Sequence, residues 1–214
     1  NIHFRDELKK IKREYFKKMR KQNLFLVISM IFVLFLFLTG CGGSQTTPLL
    51  TYTVGDTGPA GGLIFYDKGS YSDGWRYLEA APSDQSTGIQ WYNGYHVATG
   101  ATGTAIGTGQ ANTTAIVIIQ GAGSYAAQLC NDLTVGGYND WFLPSKDEFN
   151  LMYKNLYLAG VGDFFGDWES YTFESYWSSS EQDVFNAWYQ FFPNGYQDNC
   201  DKIISQRVRA VRAF

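Results

Sequence analysis

The side chains that could carry out covalent catalysis are few. After residue 41 the sequence contains one histidine, His96, in a stretch rich in Gly and Thr without a Cys, Ser or metal-ligand set at a recognisable spacing. The serines at 178–180 stand beside Glu181, but no Gly-x-Ser-x-Gly turn surrounds them and no base is identifiable. Hydroxyls that hydrogen-bond backbone groups at a strand end are their expected role. The sequence therefore predicts no catalytic residues and no enzyme.

Two clusters of acidic side chains are candidate metal ligands, because proteins bind calcium through carboxylate and carbonyl oxygens. Neither has the spacing of an EF-hand, and helix capping explains Glu148 while solvation explains the other acids. We therefore predict no metal site and no cofactor, with a structural calcium ion as the open alternative. The clusters are Asp140, Asp147 and Glu148, and Asp163, Asp167 and Glu169.

The charge is divided unevenly along the chain. Nine of the 17 Lys and Arg residues but only three of the 20 Asp and Glu residues precede Cys41. The overall net charge of -3 thus hides a C-terminal part with 8 bases and 17 acids, a net charge of -9. Such a surface repels polyanions at long range. Nucleic-acid binding and general binding of sulfated glycans are therefore disfavoured.

An apolar run follows the basic N-terminal segment. Leu24 to Leu38 is interrupted only by Ser29, and Arg20 and Lys21 precede it. This is the order of a signal peptide, and the run covers about 22 Å as a helix, less than the ~30 Å of a bilayer core. We predict a signal peptide over 1–40, with an ordinary membrane anchor as the alternative. A start at Met19 would give a signal peptide of ordinary length, which leaves 1–18 as upstream sequence or an over-long gene start.

The end of this run resembles the lipobox of bacterial lipoproteins. Leu38-Thr39-Gly40-Cys41 places small residues before a cysteine, and the resemblance implies that the Cys41 thiol receives diacylglycerol. It also implies a protein anchored to a membrane by its N-terminal lipid, with the domain outside the cytoplasm. Residue 42 is Gly rather than Asp, which by the same resemblance favours the outer membrane.

Cys130 and Cys200 remain once Cys41 is acylated. In an exported protein two leftover cysteines commonly pair. We expect a disulfide between them, with two free thiols as the alternative. A bridge over this separation would stabilise the fold by roughly 4 kcal/mol in the loop-entropy model.

The composition after Cys41 indicates a flexible tether over 41–50 and one globular domain over 51–214. Aromatic and branched residues at 62–66 and 75–80 predict a β-hairpin. Residues 94–110 are dominated by Gly, Thr and Ala and predict a long loop.

The middle of the domain has helical signals and its end has strand signals. A helix is predicted from 112–114 toward Leu133, with interruptions at Gly121 and Gly123. Ser145 and Glu148 form a capping box that starts a second helix. Short aromatic strands are predicted around 176–179, 186–192 and 207–214. This order indicates an α+β fold.

Five stretches of the domain together carry a recognisable pattern: Val54 to Tyr66, Gly137 to Ser145 with Glu148, Tyr176 to Glu181, Ala187-Trp188 and Val208 to Arg212. Through them the domain resembles, over about 50–214, the Lcl C-terminal domain family, which is found in bacterial surface proteins. The family resembles C-type lectin-like folds, which implies paired first and last strands, small mixed or antiparallel sheets, two helices and long ligand-binding loops.

Two departures limit what the resemblance implies. The family's namesake has a collagen-like stalk and supports adhesion to glycans and surfaces, whereas this chain has only Gly58-Pro59-Ala60, so a collagen trimer is not implied. Lectins of this fold often hold calcium with an acid or amide before a proline. Here the comparable site is Phe192-Pro193-Asn194, so calcium-dependent sugar binding is not expected.

The segment Gln182 to Gln206 combines aromatic faces with hydrogen-bonding groups, as ligand-binding surfaces do. Strand alternation would place Trp188, Gln190 and Phe192 on one face and Ala187, Tyr189 and Phe191 on the other. The resemblance assigns Ala187, Trp188 and Gly195 to the framework, which leaves Tyr189, Phe191 and Tyr196 for ligand contact. The predicted ligand-binding residues are Asp183, Phe185, Tyr189, Phe191, Tyr196, Gln197 and Asp198.

The sequence thus predicts a surface-exposed bacterial lipoprotein. Its domain is expected to be non-catalytic and to serve recognition of, or adhesion to, an extracellular glycan or protein. One alternative is a structural cell-envelope lipoprotein whose aromatic residues are all in the core. A second is an exported enzyme related to formylglycine-generating folds, which would use Cys130 or Cys200. Exposed aromatic side chains over 183–198 favour recognition, and a polar surface there favours the structural alternative.

Overall fold

A computed structural model describes residues 50–165 and 175–214, which form eight strands and three α-helices. The fold is α+β, with helices between two groups of strands. The predicted signal peptide, Cys41 and the tether as far as residue 49 lie outside the described residues, as do Asp167 and Glu169. Within the described ranges, no helix combines the length and apolar character needed to cross a membrane.

A three-stranded antiparallel sheet is built from the predicted hairpin and the last strand. β1 (Leu63–Ser72) and β2 (Trp75–Ala80) are joined by Asp73-Gly74, whose φ angles of 52° and 85° are those of a tight hairpin turn. β8 (Val211–Ala213) pairs with β2, so the strand order is β1-β2-β8. The last strand therefore joins the second strand, and the expected pairing of first and last strands is wrong.

The second sheet is mixed and has five strands in the order β3-β7-β4-β5-β6. The pairing of β4 with β7 is parallel and the other pairings are antiparallel. β6 was not predicted, and it forms one edge of this sheet. The strands are β3 (Ser86–Ile89), β4 (Ser175–Glu181), β5 (Asn186–Phe191), β6 (Tyr196–Asp201) and β7 (Gln206–Val208).

The helices lie where the sequence signals predict them, but one predicted helix is divided into two. α1 (Gly109–Gln120) ends at Gly121, whose φ of 70° cannot continue a helix, and α2 (Ala126–Asn131) follows. The single helix expected over this region is thus two. The capping box of Ser145 and Glu148 starts α3 (Lys146–Met152), which continues as a π-helical turn over Tyr153–Tyr157.

Two hydrophobic cores lie on opposite faces of the five-stranded sheet. Consecutive residues of a strand point to opposite faces, and Trp177 belongs to one core while Tyr176 belongs to the other. The first core is closed by α1 and α2, and the second by α3 and the π-helical turn. Ala187 of β5 lies in the first core and Phe192 in the second, so the predicted alternation along 187–192 is confirmed.

The two ends of the described domain meet at the three-stranded sheet. The Tyr52 ring lies 5.4 Å from that of Tyr77 and 5.6 Å from that of Phe214, centroid to centroid. The buried Glu79 carboxylate accepts a hydrogen bond of 2.8 Å from the Gly62 N–H and one of 3.2 Å from the Arg212 guanidinium. The N-terminal glycine-rich segment is thus held to the last strand through one carboxylate.

Candidate ligand-binding site

Four of the predicted ligand-binding residues share one face of the β5–β6 hairpin. Tyr189 lies directly opposite Asp198, and Phe191 directly opposite Tyr196. Residues directly opposite each other in an antiparallel pair project to the same face. We call this set of Tyr189, Phe191, Tyr196 and Asp198 the hairpin face.

The hairpin face is part core and part surface. Tyr189 is half-buried against the first core, and burial raises the pKa of its phenol. Tyr196 is 56% exposed, and its hydroxyl donates a 3.0 Å hydrogen bond to Asp198 Oδ2. Donation to this carboxylate raises the pKa of the Tyr196 phenol. The outer half of the face therefore presents an aromatic ring and an adjacent negative charge to solvent.

Gln197 points away from the other candidates on its strand. Its amide nitrogen donates hydrogen bonds of 2.8 Å to the Lys146 carbonyl and 3.2 Å to Gln190 Oε1. On the same side of the hairpin, the Lys146 ammonium lies 3.5 Å from the centroid of the Trp188 ring. Gln197 thus links β6 to the start of α3, and the structure does not bring it together with the hairpin face.

Asp183 and Phe185 lie in the loop between β4 and β5. The Asp183 carboxylate accepts hydrogen bonds from the backbone N–H groups of Phe185 and Asn186 at 2.8 and 2.7 Å and from the Asn186 amide. These bonds, with that of the Asn186 side chain first, hold the pKa of Asp183 below its usual value. Phe185 is 55% exposed, and its ring lies 5.2 Å from that of His96.

A buried ion pair fixes this loop. Lys202 Nζ lies 2.6 Å from Glu181 Oε1 and donates hydrogen bonds of 2.9 Å to the carbonyl groups of Asp183 and Val184. Glu181 also accepts the backbone N–H of Thr99 from the long loop before α1. The pattern of residue types gave no signal for this pair, because Lys202 stands in a polar stretch typical of an exposed turn.

The exposed aromatic residues are at opposite ends of the hairpin. Phe185 precedes the first residue of β5, whereas Tyr196 pairs with its last residue, Phe191. At about 3.4 Å per residue, the two ends are roughly 20 Å apart. The seven predicted residues are therefore divided into the hairpin face, a loop with Asp183 and Phe185, and the inward-directed Gln197.

The residues that could have supported catalysis have structural partners. Ser178 and Ser180 are buried, and their hydroxyls donate to the backbone carbonyls of Trp188 at 2.9 Å and Gly103 at 2.7 Å, as predicted. His96 Nε2 lies 3.6 Å from Asp201 Oδ1, and its Nδ1 is buried without a partner among the described residues.

The acidic candidates for calcium have other contacts in the structure. The Asp140 carboxylate receives two hydrogen bonds from Arg212, and the buried Glu148 carboxylate accepts the backbone N–H groups of Ser145 and Gly107. Burial raises the pKa of Glu148. Over residues 50–165 and 175–214, no three His, Cys, Asp or Glu side chains are grouped as metal ligands.

The expected disulfide is not formed in the structure, where Cys130 and Cys200 are both free. Cys130 is fully buried in the first core, and burial raises the pKa of its thiol. Cys200 is half-buried on β6 and accepts a hydrogen bond of 3.7 Å from the Gln206 amide. Cys130 thus belongs to the first core, and Cys200 packs against that core from β6.

A known protein family matches most of the domain in sequence. The sequence profile of the Lcl C-terminal domain matches residues 81–212, which include both sites of exposed aromatic side chains on the hairpin. A search of curated proteins finds none that matches this chain.

Proposed function

Since this chain belongs to the Lcl C-terminal domain family, we propose that it is a lipid-anchored surface protein whose domain binds an extracellular glycan or protein without covalent chemistry. The hairpin face and the Asp183–Phe185 loop supply the contacts in this proposal. The anchor is the acylated Cys41, and the membrane is the outer membrane of a two-membrane bacterium.

The observation that carries this proposal is the exposure of aromatic side chains on the β5–β6 hairpin. Phe185 and Tyr196 are both more than half exposed, although burial of each ring would stabilise the fold by about 1.5–3 kcal/mol. Each of the two rings also stands beside an acidic hydrogen-bonding group, since the Phe185 N–H donates to Asp183 and the Tyr196 hydroxyl donates to Asp198. Exposed aromatic rings beside hydrogen-bonding groups are typical of binding surfaces.

The same proposal includes a C-type lectin-like architecture. It is supported by the mixed five-stranded sheet, by the long loop before α1 and by the meeting of the two ends at one small sheet. The arrangement departs from the expected pattern in its three helices and in the pairing of β8 with β2. Ligand contact through loops and an edge hairpin is the feature that matters for function here.

Lipidation is tested by metabolic labelling. Radioactive palmitate should enter the wild-type protein and should not enter the Cys41→Ser variant. Labelling of the Cys200→Ser variant should equal that of the wild type, because Cys200 lies within the folded domain. Equal labelling of wild type and Cys41→Ser would contradict the anchor.

Recognition is tested with the detergent-solubilised full chain on an array of glycans and extracellular proteins. Phe185→Ala or Tyr196→Ala should weaken binding to the best ligand by about fivefold or more, the loss typical of an exposed anchor residue. The matched control is Tyr71→Ala, because Tyr71 is 68% exposed on the β1–β2 hairpin, which belongs to the other sheet. Equal effects of all three changes would refute the assignment to the β5–β6 hairpin.

A further inference from the structure

The outer edge of β6 has backbone groups directed away from the sheet. The Lys202 N–H donates a 2.9 Å hydrogen bond to the Phe185 carbonyl, which makes this opposite pair a hydrogen-bonded one. Hydrogen-bonded and non-bonded pairs alternate along antiparallel strands. The backbone groups of Cys200 and Asp198 therefore face β5, and those of Gln197, Asn199 and Asp201 face outward.

Most of these outward groups have no partner in the described part of the chain. The Asn199 N–H donates a 2.9 Å hydrogen bond to Asp198 Oδ1, and the Asp201 carbonyl accepts the Ile204 N–H at 3.0 Å. The N–H and carbonyl of Gln197, the carbonyl of Asn199 and the N–H of Asp201 have no such bond within residues 50–165 and 175–214. An edge strand in this state is a template for another strand.

The edge is also acidic on both faces of the sheet. Asp198 lies on the hairpin face, where it accepts the Tyr196 hydroxyl. Asp201 lies on the opposite face with a side chain that is 48% exposed and has His96 Nε2 3.6 Å from its Oδ1. The lysines nearby are engaged elsewhere, since Lys202 is buried with Glu181 and Lys146 lies over Trp188. The part of the chain after Cys41 carries a net charge of -9, which reinforces attraction for a cation.

We propose that the outer edge of β6 binds an extended, basic segment of a partner protein as an added strand. This inference rests on the proposed recognition function and assigns it a polypeptide as its ligand. Main-chain hydrogen bonds at Gln197, Asn199 and Asp201 give affinity, and side chains give specificity. A spacing of two residues between hydrogen-bonding positions matches an extended polypeptide, whereas a glycan has no such repeat.

The register defines the partner's sequence. A residue opposite Asp201 and a residue opposite Asp198 are three positions apart and are Lys or Arg. The residue opposite Tyr196 lies two positions further and is apolar or aromatic, because it packs on the exposed ring. For an antiparallel partner the motif is Lys/Arg-x-x-Lys/Arg-x-aromatic, and a parallel partner has the reverse order.

A second copy of this chain is a poorer occupant of the edge. If two β6 strands paired antiparallel about Asn199, Asp198 would lie opposite Cys200, and Asp201 opposite Gln197. The second copy would place no Lys or Arg opposite either carboxylate, and two acidic surfaces would approach each other. The charges of the edge therefore favour a basic partner over self-association.

The test uses the detergent-solubilised full chain and a fluorescent peptide, Lys-Val-Thr-Lys-Val-Tyr, flanked by Gly and Ser. N-methylation of its third and fifth residues removes N–H groups that would face β6, and about a tenfold loss of affinity is expected. N-methylation of the second and fourth residues alters groups that face away. This matched control should bind within about twofold of the parent peptide.

Protein variants test the same edge. Asn199→Pro places a ring on the outer edge, where it blocks an added strand, and removes an N–H that donates to Asp198 Oδ1 in the unbound protein. Outward positions of edge strands tolerate this change. It should weaken peptide binding about tenfold, whereas Asn199→Ser keeps the N–H and should bind the peptide more tightly than Asn199→Pro does. Asp198→Asn should weaken binding in low salt and reduce its dependence on salt.

Three results would overturn strand addition. One is equal binding of both N-methylated peptides. A second is a dimer, measured by sedimentation, that is lost in Asn199→Pro. The third is array binding to a glycan that Tyr196→Ala weakens and Asn199→Pro leaves unchanged, in which case the recognition function stands and its polypeptide ligand does not. If the wild-type protein binds nothing on the array, the recognition function itself is contradicted.

Discussion

Lys202→Met should lower the free energy of unfolding by about 3–5 kcal/mol, because it leaves the buried Glu181 carboxylate without its cation. The two side chains are 0% and 3% exposed, and their charged atoms lie 2.6 Å apart. Methionine has an unbranched stem of similar length, so the change removes charge and hydrogen bonds while creating little cavity. The carbonyl groups of Asp183 and Val184 lose a donor as well, which adds to the loss.

The assay is urea unfolding of the full chain at pH 7, followed by tryptophan fluorescence. The Trp91 ring centroid lies 4.7 Å from Lys202 Nζ, so the emission reports on this region. Equal m-values for wild type and variant show that the midpoints can be compared as stabilities. Adding Glu181→Gln to Lys202→Met should recover about 1 kcal/mol or more relative to the sum of the single losses.

Lys68→Met is the matched control for this experiment. Lys68 Nζ lies 3.6 Å from Asp73 Oδ2, and the two side chains are 19% and 87% exposed, so the pair is open to solvent at Asp73. Such surface pairs contribute about 0–1 kcal/mol. A loss in Lys202→Met no larger than that in Lys68→Met would refute the reasoning that the buried pair supports the Asp183–Phe185 loop.

Gly62→Ala should destabilise the domain by about 1–3 kcal/mol in thermal unfolding, since the new Cβ collides with a backbone carbonyl of β2. Gly88→Ala, whose Cβ has its nearest neighbour at 3.8 Å, should be neutral. The Arg76 guanidinium holds the pKa of Asp67 below its usual 3.8. The stability from this pair is therefore present above pH 3.8 and is lost as the pH falls through the lowered pKa of Asp67 in the folded protein. In urea titrations at several pH values, the free energy of unfolding of Asp67→Asn should therefore decrease less toward acid pH than that of the wild type. Because Cys130 is a free and fully buried thiol, iodoacetamide should modify it in urea without reductant but not in the native protein. If mass spectrometry shows no modification in urea, Cys130 is in a disulfide after all.

Local sequence signals predicted the elements whose partners lie close in the chain. The capping box at the start of α3 needs only Ser145 and Glu148, and the β1–β2 hairpin needs only its turn and two apolar strands. β6 was missed because Asp and Asn are poor strand formers. Its strand conformation comes from pairing with β5, which the residue types of Tyr196–Asp201 do not reveal.

In the candidate site, the features that depend on local strand alternation were predictable, and those that depend on strand register or on tertiary contacts were not. The alternation along β5 placed Tyr189 and Phe191 on one face, and the structure agrees. Gln197 could not be separated from its neighbours because its direction depends on the β6 register. The ion pair joins Glu181, at the end of β4, to Lys202, which follows β6. Only the tertiary structure reveals that this buried pair holds the loop that carries the exposed Phe185.

The contact of Tyr52 with Phe214 has a consequence for how such a domain is combined with other sequences. Because the polypeptide enters and leaves at one corner, the intervening fold can be inserted as a cassette into a longer protein without stretching the flanking segments. A stalk or another module can therefore occupy either flank, while the β5–β6 hairpin keeps the same architecture.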